Sequence, residues 1–590
     1  MFKRRFEMVL TISMILGTLL LFFFGFLGHI SYGYYFSWVF VTLFYLIVLY
    51  WLIKRDYQKL RELKDNLFTF GTLAFAILCV FIFVLYRYQG FSNCDEFTHW
   101  GPMLKETLRL DGFYTQEASK LIMHKDYPPF FTLVEMLWLG FGGFVYHEGY
   151  AYVALVAFMF SMFMPVYHGL KFNKKEDWLK ALLITLSILL VGLTIDKTIT
   201  ASDYAFVYNS IYVDWALALF CSYALYVTYK ESDWGFYQLS FLSLVLITFI
   251  LMKQMGLVYY IVVLFFAFLK VLLIDKKLDV KMLIKGVVLL IVIPLCFYVL
   301  WKKYVNIYEI DRQFEIGELS LKTFVNIITG NTEIGWKYQA FRNYCSALIK
   351  RPLILHPFKM TYFVYVLLVD LIILLINRFK KESIYISGVY TIGAIGYSVA
   401  MLLLYTLAFT VDEAPYLASF DRYMVSYLYA GTTIVTMLAI DKYSNSTLKE
   451  TMVLLAILLF VEPETLEHLI PKPYDENQPT LKILVVEQYN DGIDFGREKV
   501  NGFNLEFDRI GYVEESEENF ELFKSKLMED DDLYIIGYDD TIYHFWQRLG
   551  VEDYLFNEAF YDLNKTNGLS VKWDAYSFIH YVIMYYQLGI

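Results

Sequence analysis

Two adjacent acids stand close to a histidine in the stretch NCDEFTHWGP, residues 93–102, directly after an apolar run. If this stretch is helical, Asp95 and His99 are four residues apart and share a face, whereas Glu96 points about 100° away. One carboxylate can then face a cavity while the other is held by neighbouring groups. Alternatively, both acids only cap the helix that continues beyond Pro102, because acids favour a helix N-terminus.

Further acids lie close to later apolar runs. Asp126 and Tyr127 belong to HKDYPPFF, residues 124–131, which is also typical of a helix that simply begins at its prolines. Asp203 falls in a loop, and Asp214 lies just inside the apolar run that follows. A carboxylate in hydrocarbon costs about 2.5–3.5 kcal/mol. We therefore expect Asp214 to face a polar cavity, unless it lies at the membrane interface and reaches water.

Two isolated basic residues, Lys253 and Arg422, lie at the ends of apolar runs. Arg422 has Asp421 and Tyr423 as neighbours, and an arginine binds phosphate oxygens through its planar fork. Lys253 runs against the overall distribution of positive charge, so it requires an anionic partner. The alternatives are that Lys253 snorkels to the membrane surface and that Asp421 and Arg422 form an exposed pair of little energetic value. A carboxylate base opposite phosphate-binding cations is what transfer from a lipid-linked phosphosugar requires.

Transmembrane helices must position these residues. The 590 residues are 58% hydrophobic and 19% charged, and the apolar residues form many runs of about 18–22, long enough to cross a bilayer as helices. This composition excludes a soluble enzyme with one anchor. The net charge of −10 comes without a basic patch that carries interleaved aromatic residues, so we expect no nucleic-acid partner. The five cysteines are scattered, which indicates neither a disulfide framework nor a zinc site.

Lysine and arginine cluster in a few short loops, which the positive-inside rule assigns to the cytoplasm. The alternation that results predicts about thirteen crossings, with the N-terminus inside and the C-terminus outside. Residues 1–66 form an N-terminal transmembrane hairpin, and residues 67–462 form a transmembrane module whose outer loops are 89–127 and 305–357. The run at 128–145 is expected to be a short re-entrant or interfacial helix, because it begins at two prolines and ends at glycines.

The last segment, 463–590, changes character. Strand-like runs at 482–488 and 532–538 alternate with helix-like runs, which predicts a small α/β domain. The assigned topology makes this domain extracytoplasmic. The predicted fold is therefore an all-α polytopic bundle in the cell membrane, of about thirteen transmembrane helices, with a small C-terminal extracytoplasmic α/β domain.

The order and sidedness of these motifs resemble the GT-C class of polytopic glycosyltransferases, especially the branch that contains protein O-mannosyltransferases and the lipid A aminoarabinose transferase. The matching motifs are Asp95-Glu96, Tyr127-Pro128-Pro129, Tyr212-Val213-Asp214, Lys253 to Gly256, and Arg422-Tyr423. The resemblance covers residues 95–430. Two features depart from it: the acidic loop follows the third crossing rather than the first, and the class does not predict the α/β tail.

The resemblance implies an inverting transfer of a sugar from a polyprenyl-phosphate donor to a hydroxyl on the outer face of the membrane. Asp95 would be the general base, with Glu96 as second choice. Lys253 and Arg422 would stabilise the charge that develops on the phosphate. The remaining candidates would bind or orient substrates: His99, Asp126, Tyr127, Asp203, Asp214 and Tyr423. Members of this branch generally work without a metal at the base, so we expect no metal and no cofactor.

The expected partners are the lipid-linked donor, membrane lipids, and an acceptor in the cell envelope that is a glycan, a lipid or a protein. The alternative is a transporter or polymerase of lipid-linked glycans, in which the charges line a path. A transporter carries ionisable residues at mid-depth on several helices, often in repeated halves, whereas most runs here are apolar in their middles. A third possibility, a sensor whose tail binds an external ligand, leaves Asp95, Asp214 and Lys253 without a role.

Overall fold

The structure is a computed structural model of the chain. It describes the following residues: 6–91, 95–121, 123–195, 207–276, 279–310, 321–330, 335–355, 358–376, 378–411, 413–443, 447–458, 480–486, 498–500, 503–510, 514–535, 540–550, 559–564 and 569–573. Within them the chain divides into two compact units. The first comprises Met1–Arg87 and Glu106–Ile470, and the second comprises Tyr88–Lys105 and Pro471–Ile590.

The part of the chain that the structure describes is mainly helical. Its α-helices are α1 Leu10–Gly25, α2 Ile30–Ile53, α3 Tyr57–Leu67, α4 Phe70–Tyr86, α5 Gly101–Leu110, α6 Phe130–Leu139, α7 Glu148–Phe163, α8 Lys175–Val191, α9 Val213–Lys230, α10 Phe236–Met252, α11 Gly256–Leu269, α12 Val280–Gly286, α13 Ile293–Ile307, α14 Leu321–Thr329, α15 Gly335–Lys350, α16 Tyr362–Ile376, α17 Lys381–Leu407, α18 Phe420–Tyr443, α19 Thr447–Leu458, α20 Glu517–Glu529 and α21 Asp540–Arg548. A two-stranded hairpin of β1 Leu353–Leu355 and β2 Phe358–Met360 lies between α15 and α16.

Six helical stretches among the described residues are long and apolar enough to cross a membrane: Ile30–Ile53, Glu148–Tyr167, Gly256–Asp275, Val280–Ile307, Lys381–Leu407 and Phe420–Lys442. A seventh is obtained if α3 and α4, which meet at a 52° bend, are one broken span. Each of the six overlaps a run that the sequence predicts to be transmembrane. Other apolar helices, among them α1, α10 and α16, have between 10 and 17 residues. At about 1.5 Å per residue they are short for a bilayer core of about 30 Å.

Helix α6 has the short, interrupted form that the sequence predicts for 128–145. It begins directly after Pro129, as expected of a residue that fits the first turn but not a helix interior. It ends in a 3-10 turn at Gly140–Gly142, and Gly143 has a positive φ of 73°, which a residue with a side chain rarely adopts. The prediction of a short helical segment is therefore confirmed at the level of secondary structure.

Helices α9 and α18 run side by side in the same direction and form the centre of the first unit. Ser222 of α9 donates to the Ala430 carbonyl of α18 at 2.7 Å. At the C-terminal ends of the two helices, Lys230 of α9 bonds Asp441 of α18 at 2.7 Å. Nearly every residue of α9 is buried. Because the helices are parallel, their first turns, which begin at Val213 and Phe420, lie at the same end.

The second unit contains a six-stranded sheet of β3 Thr480–Val486, β4 Glu498–Val500, β5 Phe503–Ile510, β6 Asp532–Ile535, β7 Ala559–Asn564 and β8 Ser570–Trp573, in the order β4-β5-β3-β6-β7-β8. Strand β3 is parallel to both neighbours, and the outer pairs are antiparallel. Strand β3 is central, and its residues 483–486 are buried, as expected of a parallel strand covered on both faces. Helices α20 and α21 contribute Phe523 and Phe545 to its apolar cluster.

Candidate functional site

Asp214 lies at the centre of a buried group of charges in the first unit. Its carboxylate Oδ1 accepts a hydrogen bond from Lys253 Nζ at 2.8 Å, and its Oδ2 lies 3.8 Å from Arg422 Nε. The three side chains are only 8–11% exposed. Two cations against one carboxylate leave this group, which we call the Asp214 cluster, with a formal charge of plus one. Cations in a medium of low dielectric attract an anion strongly.

The Lys253 ammonium is positioned by a break between two helices. Helix α10 ends at Met252, Lys253 has an extended backbone, and α11 begins at Gly256. The Gly256 amide donates to the Lys253 carbonyl at 2.8 Å, which closes a tight turn. The break brings Gly256 so close to the Phe249 carbonyl oxygen that a Cβ at this position would lie 1.8 Å from it. A glycine is therefore required for the backbone to place Lys253 where it is.

Arg422 lies in the first turn of α18 between two aromatic rings. Its guanidinium carbon is 4.9 Å from the centre of the Tyr212 ring and 5.3 Å from that of Tyr423. The Lys253 Nζ is 5.5 Å from the same Tyr423 ring, so one tyrosine faces both cations. Contacts of this kind hold a cation in place without neutralising it. The Asp214 carbonyl in turn accepts a hydrogen bond from Ser426 at 3.1 Å, which ties α9 to α18 at the cluster.

The structure decides between the alternatives for these residues. Asp421 pairs with Arg351 at 2.6 Å, and Arg422 pairs with Asp214, so the interpretation of Asp421 and Arg422 as an exposed pair is wrong. The interpretation of Lys253 as a snorkelling residue is also wrong, because it is buried and bonded to Asp214. Asp214 itself is 6% exposed, which fits an interior charge site better than an interfacial one.

Asp126, in the loop between α5 and α6, contacts the turn between α10 and α11. Its carboxylate Oδ2 accepts a hydrogen bond from Gln254 at 2.8 Å, and its carbonyl accepts one from Trp301 at 3.2 Å. Asp126 is 1% exposed. The ring of the neighbouring Tyr127 packs against the His124 ring at a tilt of 32°, with 4.4 Å between ring centres. Asp126 and Lys253 are thus connected through consecutive residues of one turn.

A second buried acid holds the preceding part of this loop. Glu106 accepts two hydrogen bonds from Arg109, at 2.8 and 2.7 Å, and one from the Lys120 amide at 2.7 Å. Arg109 also donates to the Ala118 carbonyl at 2.6 Å. Burial raises the pKa of the Glu106 carboxyl, but the hydrogen bonds from Arg109 and Lys120 outweigh it and hold that pKa below its ordinary value. The loop between α5 and α6 is therefore fixed at an ionised carboxylate.

The acids of the opening motif belong to the second unit. Asp95 precedes a π-helical turn, Glu96–Trp100, which leads directly into α5. Asp95 is half-buried, Glu96 and His99 are buried, and His99 Nδ1 is hydrogen-bonded to the Thr98 hydroxyl at 2.8 Å. The predicted helix is thus present, but its first turn is wider than an α-helix. A single π turn of this kind is frequent at functional sites.

Asp203 lies outside the described residues. No group of three or more histidine, cysteine, aspartate or glutamate side chains able to hold a metal ion occurs in the described part of the chain.

Sequence reasoning did not find three residues that shape the site: Gln254, Trp301 and Ser426. Gln254 adjoins Lys253, and an amide next to a lone lysine at a helix break was a usable signal. Ser426 lies four residues after Arg422, on the same face of α18, and this spacing was also visible. Trp301 gave no signal, because its contact with Asp126 joins residues 175 positions apart.

Comparison with known proteins returned no family model, no curated protein and no solved structure that matches this chain.

Proposed function

We propose that this protein is a membrane glycosyltransferase that moves a sugar from a polyprenyl-phosphate donor to an acceptor hydroxyl on the outer face of the membrane. The observation that carries the proposal is the Asp214 cluster, in which Lys253 and Arg422 converge on one buried carboxylate. Two buried cations beside aromatic rings suit a lipid phosphate, which brings negative charge to a site with little water.

The two cations would act on the leaving group. As the bond between the anomeric carbon and the phosphate oxygen breaks, the electron pair stays with the phosphate and its negative charge grows. Lys253 and Arg422 are already held by Asp214 and Tyr423, so they need not reorganise when this charge appears. Preorganised charges of this kind stabilise the transition state by several kcal/mol.

The base is assigned by the resemblance alone. Asp95 would take the proton of the acceptor hydroxyl while the hydroxyl oxygen attacks the anomeric carbon from the face opposite the phosphate, which inverts the configuration. Glu96 is the second choice. Because polyprenyl phosphate is a good leaving group, no residue needs to protonate it, and no metal or cofactor is invoked. His99, Asp126 and Tyr127 would orient the substrates.

The finer topology is part of the proposal. We propose that the shorter apolar helices also cross the membrane, for about thirteen crossings in all, with the N-terminus cytoplasmic and the C-terminus extracytoplasmic. The proposed division is a hairpin at 1–66, a catalytic module at 67–462 and an extracytoplasmic α/β domain at 463–590. The clusters of lysine and arginine in short loops support this orientation. The proposed acceptor is a glycan, a lipid or a protein of the cell envelope.

One observation favours a transporter or polymerase of lipid-linked glycans instead. Asp370 lies in the middle of α16, is 8% exposed and accepts a hydrogen bond from Ser387 of α17 at 2.8 Å. An ionisable residue at mid-depth is typical of transport paths. The two functions predict different results for Asp370→Asn: a transporter or polymerase loses activity, whereas the proposed transferase keeps it.

Transfer and donor binding can be measured separately. The full chain in nanodiscs is titrated with polyprenyl phosphate by native mass spectrometry, and surface glycopolymers of cells with and without the protein are compared by mass spectrometry. Asp95→Asn should abolish the glycan difference and keep the affinity for polyprenyl phosphate. Its matched control is Glu117→Gln, an exposed acid of the same outer loop. Full transfer by the Asp95 variant would remove Asp95 from the mechanism.

The phosphate role has its own test. Lys253→Met should weaken binding of polyprenyl phosphate by at least tenfold, because a charge-assisted hydrogen bond contributes about 1.5–3 kcal/mol. The matched control is Lys285→Met, at an exposed lysine of α12. Equal affinities for the two variants would reject the phosphate role of the Asp214 cluster and with it the proposed function.

A further inference from the structure

The turn between α10 and α11 sends two consecutive side chains to two different carboxylates. Lys253 bonds Asp214 of α9, and Gln254 bonds Asp126 of the outer loop, each at 2.8 Å. Lys253 has the dihedral angles of an extended strand, φ −162° and ψ 160°, and successive side chains of an extended chain point to opposite sides. The turn is therefore held from both sides, by one charged and one neutral donor.

Asp126 is a rigid partner for this turn, independently of Gln254. Three successive carbonyls of its segment accept hydrogen bonds from side chains. The donors are Thr115 to Lys125 at 2.8 Å, Trp301 to Asp126 at 3.2 Å, and Tyr114 to Tyr127 at 2.7 Å. Asp126 is fixed through its own backbone. The bond from Gln254 therefore holds the turn between α10 and α11 in place, and the loop that carries Asp126 does not depend on it.

The neutral amide at Gln254 leaves the charge of the Asp214 cluster unchanged. A lysine or arginine at this position would add a second positive charge one residue from Lys253 and would neutralise Asp126. A glutamine supplies a donor of defined length without either effect. A glutamine is thus suited to hold Lys253 in position without changing the charge around it.

We propose that Gln254 is a positioning residue: by bonding Asp126 it fixes the turn that aims the Lys253 ammonium at the donor phosphate. This inference rests on the proposed function and deepens it, because it says how the phosphate-binding cation is held. Loss of the Gln254 bond leaves Lys253 charged and paired, and it frees the turn to shift. A small displacement of a binding group is costly even when the group itself is intact.

The test uses the full chain in nanodiscs with two probes, polyprenyl phosphate and the uncharged polyprenol. Gln254→Leu should raise the Kd for polyprenyl phosphate by about three- to tenfold, as expected for one hydrogen bond, and leave that for polyprenol unchanged. Gln238→Leu is the matched control, since Gln238 lies in α10 and, like Gln254, bonds an aspartate, Asp233, at 3.3 Å. It should leave both affinities unchanged. If Gln254→Leu raised the Kd for polyprenyl phosphate and the Kd for polyprenol by the same factor, the inference would be overturned, because the effect would then be structural.

A pair of substitutions that exchanges the amide and the carboxylate between Gln254 and Asp126 tests the contact itself. Gln254→Glu sets two carboxylates against each other and should weaken phosphate binding further than Gln254→Leu. Adding Asp126→Asn lets the new amide donate to the new carboxylate, so the affinity should recover relative to Gln254→Glu alone. Absence of recovery would overturn the inference. If Gln254→Leu does not fold, the exchange of amide and carboxylate provides the same test.

Failure of the inference is distinguishable from failure of the proposed function. If Lys253→Met weakens phosphate binding and Gln254→Leu does not, the cluster binds the phosphate but Gln254 does not position it. If neither variant changes the affinity, the phosphate role of the cluster is rejected as well.

Discussion

Lys253 and Asp214 form a buried ion pair across 2.8 Å, and the pair joins the break between α10 and α11 to the first turn of α9. Arg422 approaches the same carboxylate from α18. A buried charge is costly unless it is paired and hydrogen-bonded, so Asp214 is the residue on which the arrangement depends.

Removal of the Asp214 charge should destabilise the protein strongly. Asp214→Asn leaves two buried cations without their carboxylate, and breaking a buried pair costs about 3–5 kcal/mol. The free energy of unfolding is measured by denaturant unfolding in detergent micelles. Asp214→Asn with Lys253→Met should recover part of the loss, because one of the uncompensated charges is then gone. The matched control is Asp233→Asn, at an exposed acid, and an equal loss in both single variants would contradict the prediction.

The hydrogen bonds that Glu106 accepts should make the loop between α5 and α6 sensitive to acid. The folded-state pKa of Glu106 is lowered, so its contribution to stability is fully present above about pH 4.3, the unfolded value, and is lost as the pH falls through the folded pKa. Arg109→Met removes the hydrogen bonds that lower this pKa. Hydrogen-exchange protection of residues 118–121 should then be weaker at neutral pH and should fail at a higher pH than in the wild type.

The control for this experiment is Arg61→Met, at an exposed arginine of α3. It should leave the protection of residues 118–121 unchanged at every pH. Wild-type protection in Arg109→Met would mean that backbone contacts alone hold the loop.

Asp370 should depend on its two hydroxyl donors. Ser387 and Thr391, both on α17, donate to its two carboxylate oxygens. Ser387→Ala with Thr391→Val leaves a buried carboxylate that has lost these donors, at a cost of about 1–3 kcal/mol for each. Adding Asp370→Leu should restore stability, because an apolar group of similar size suits these helices better than an unpaired charge. Thermal unfolding of the three proteins tests this, and no recovery in the triple variant would show that the hydroxyls act elsewhere.

Much of the helical framework could be predicted from the sequence. The runs around α2, α7, α11, α13, α17 and α18 are long and apolar, and such runs specify helices almost regardless of context. The short form of α6 could also be predicted, since Pro129 and Gly143 act on the local backbone. The wider π turn at Glu96–Trp100 could not, because it depends on how the turn packs rather than on its residue types.

The candidate site was predictable as a set of residues and not as a set of contacts. Lys253 requires an anionic partner by its position, but only the packing of α9 against the break between α10 and α11 makes Asp214 that partner. The contact of Trp301 with Asp126 likewise depends on tertiary structure. Charge and spacing within the chain identify which charged residues need a partner, and the tertiary structure decides which residue is that partner.

Gly256 should tolerate no side chain, because the helix break that places Lys253 depends on its close approach to Phe249. A Cβ would meet the Phe249 carbonyl oxygen at 1.8 Å, a contact with backbone that only a shift of the turn can relieve. Gly256→Ala should therefore lower the melting temperature and weaken polyprenyl phosphate binding together. Gly286→Ala is the matched control: a Cβ there meets nothing within 4 Å, and alanine favours a helix by about 0.5–1 kcal/mol over glycine. The control should melt at the same or a higher temperature. Similar melting and binding in both variants would show that the turn adjusts freely, and Lys253 would then be held by Asp214 alone.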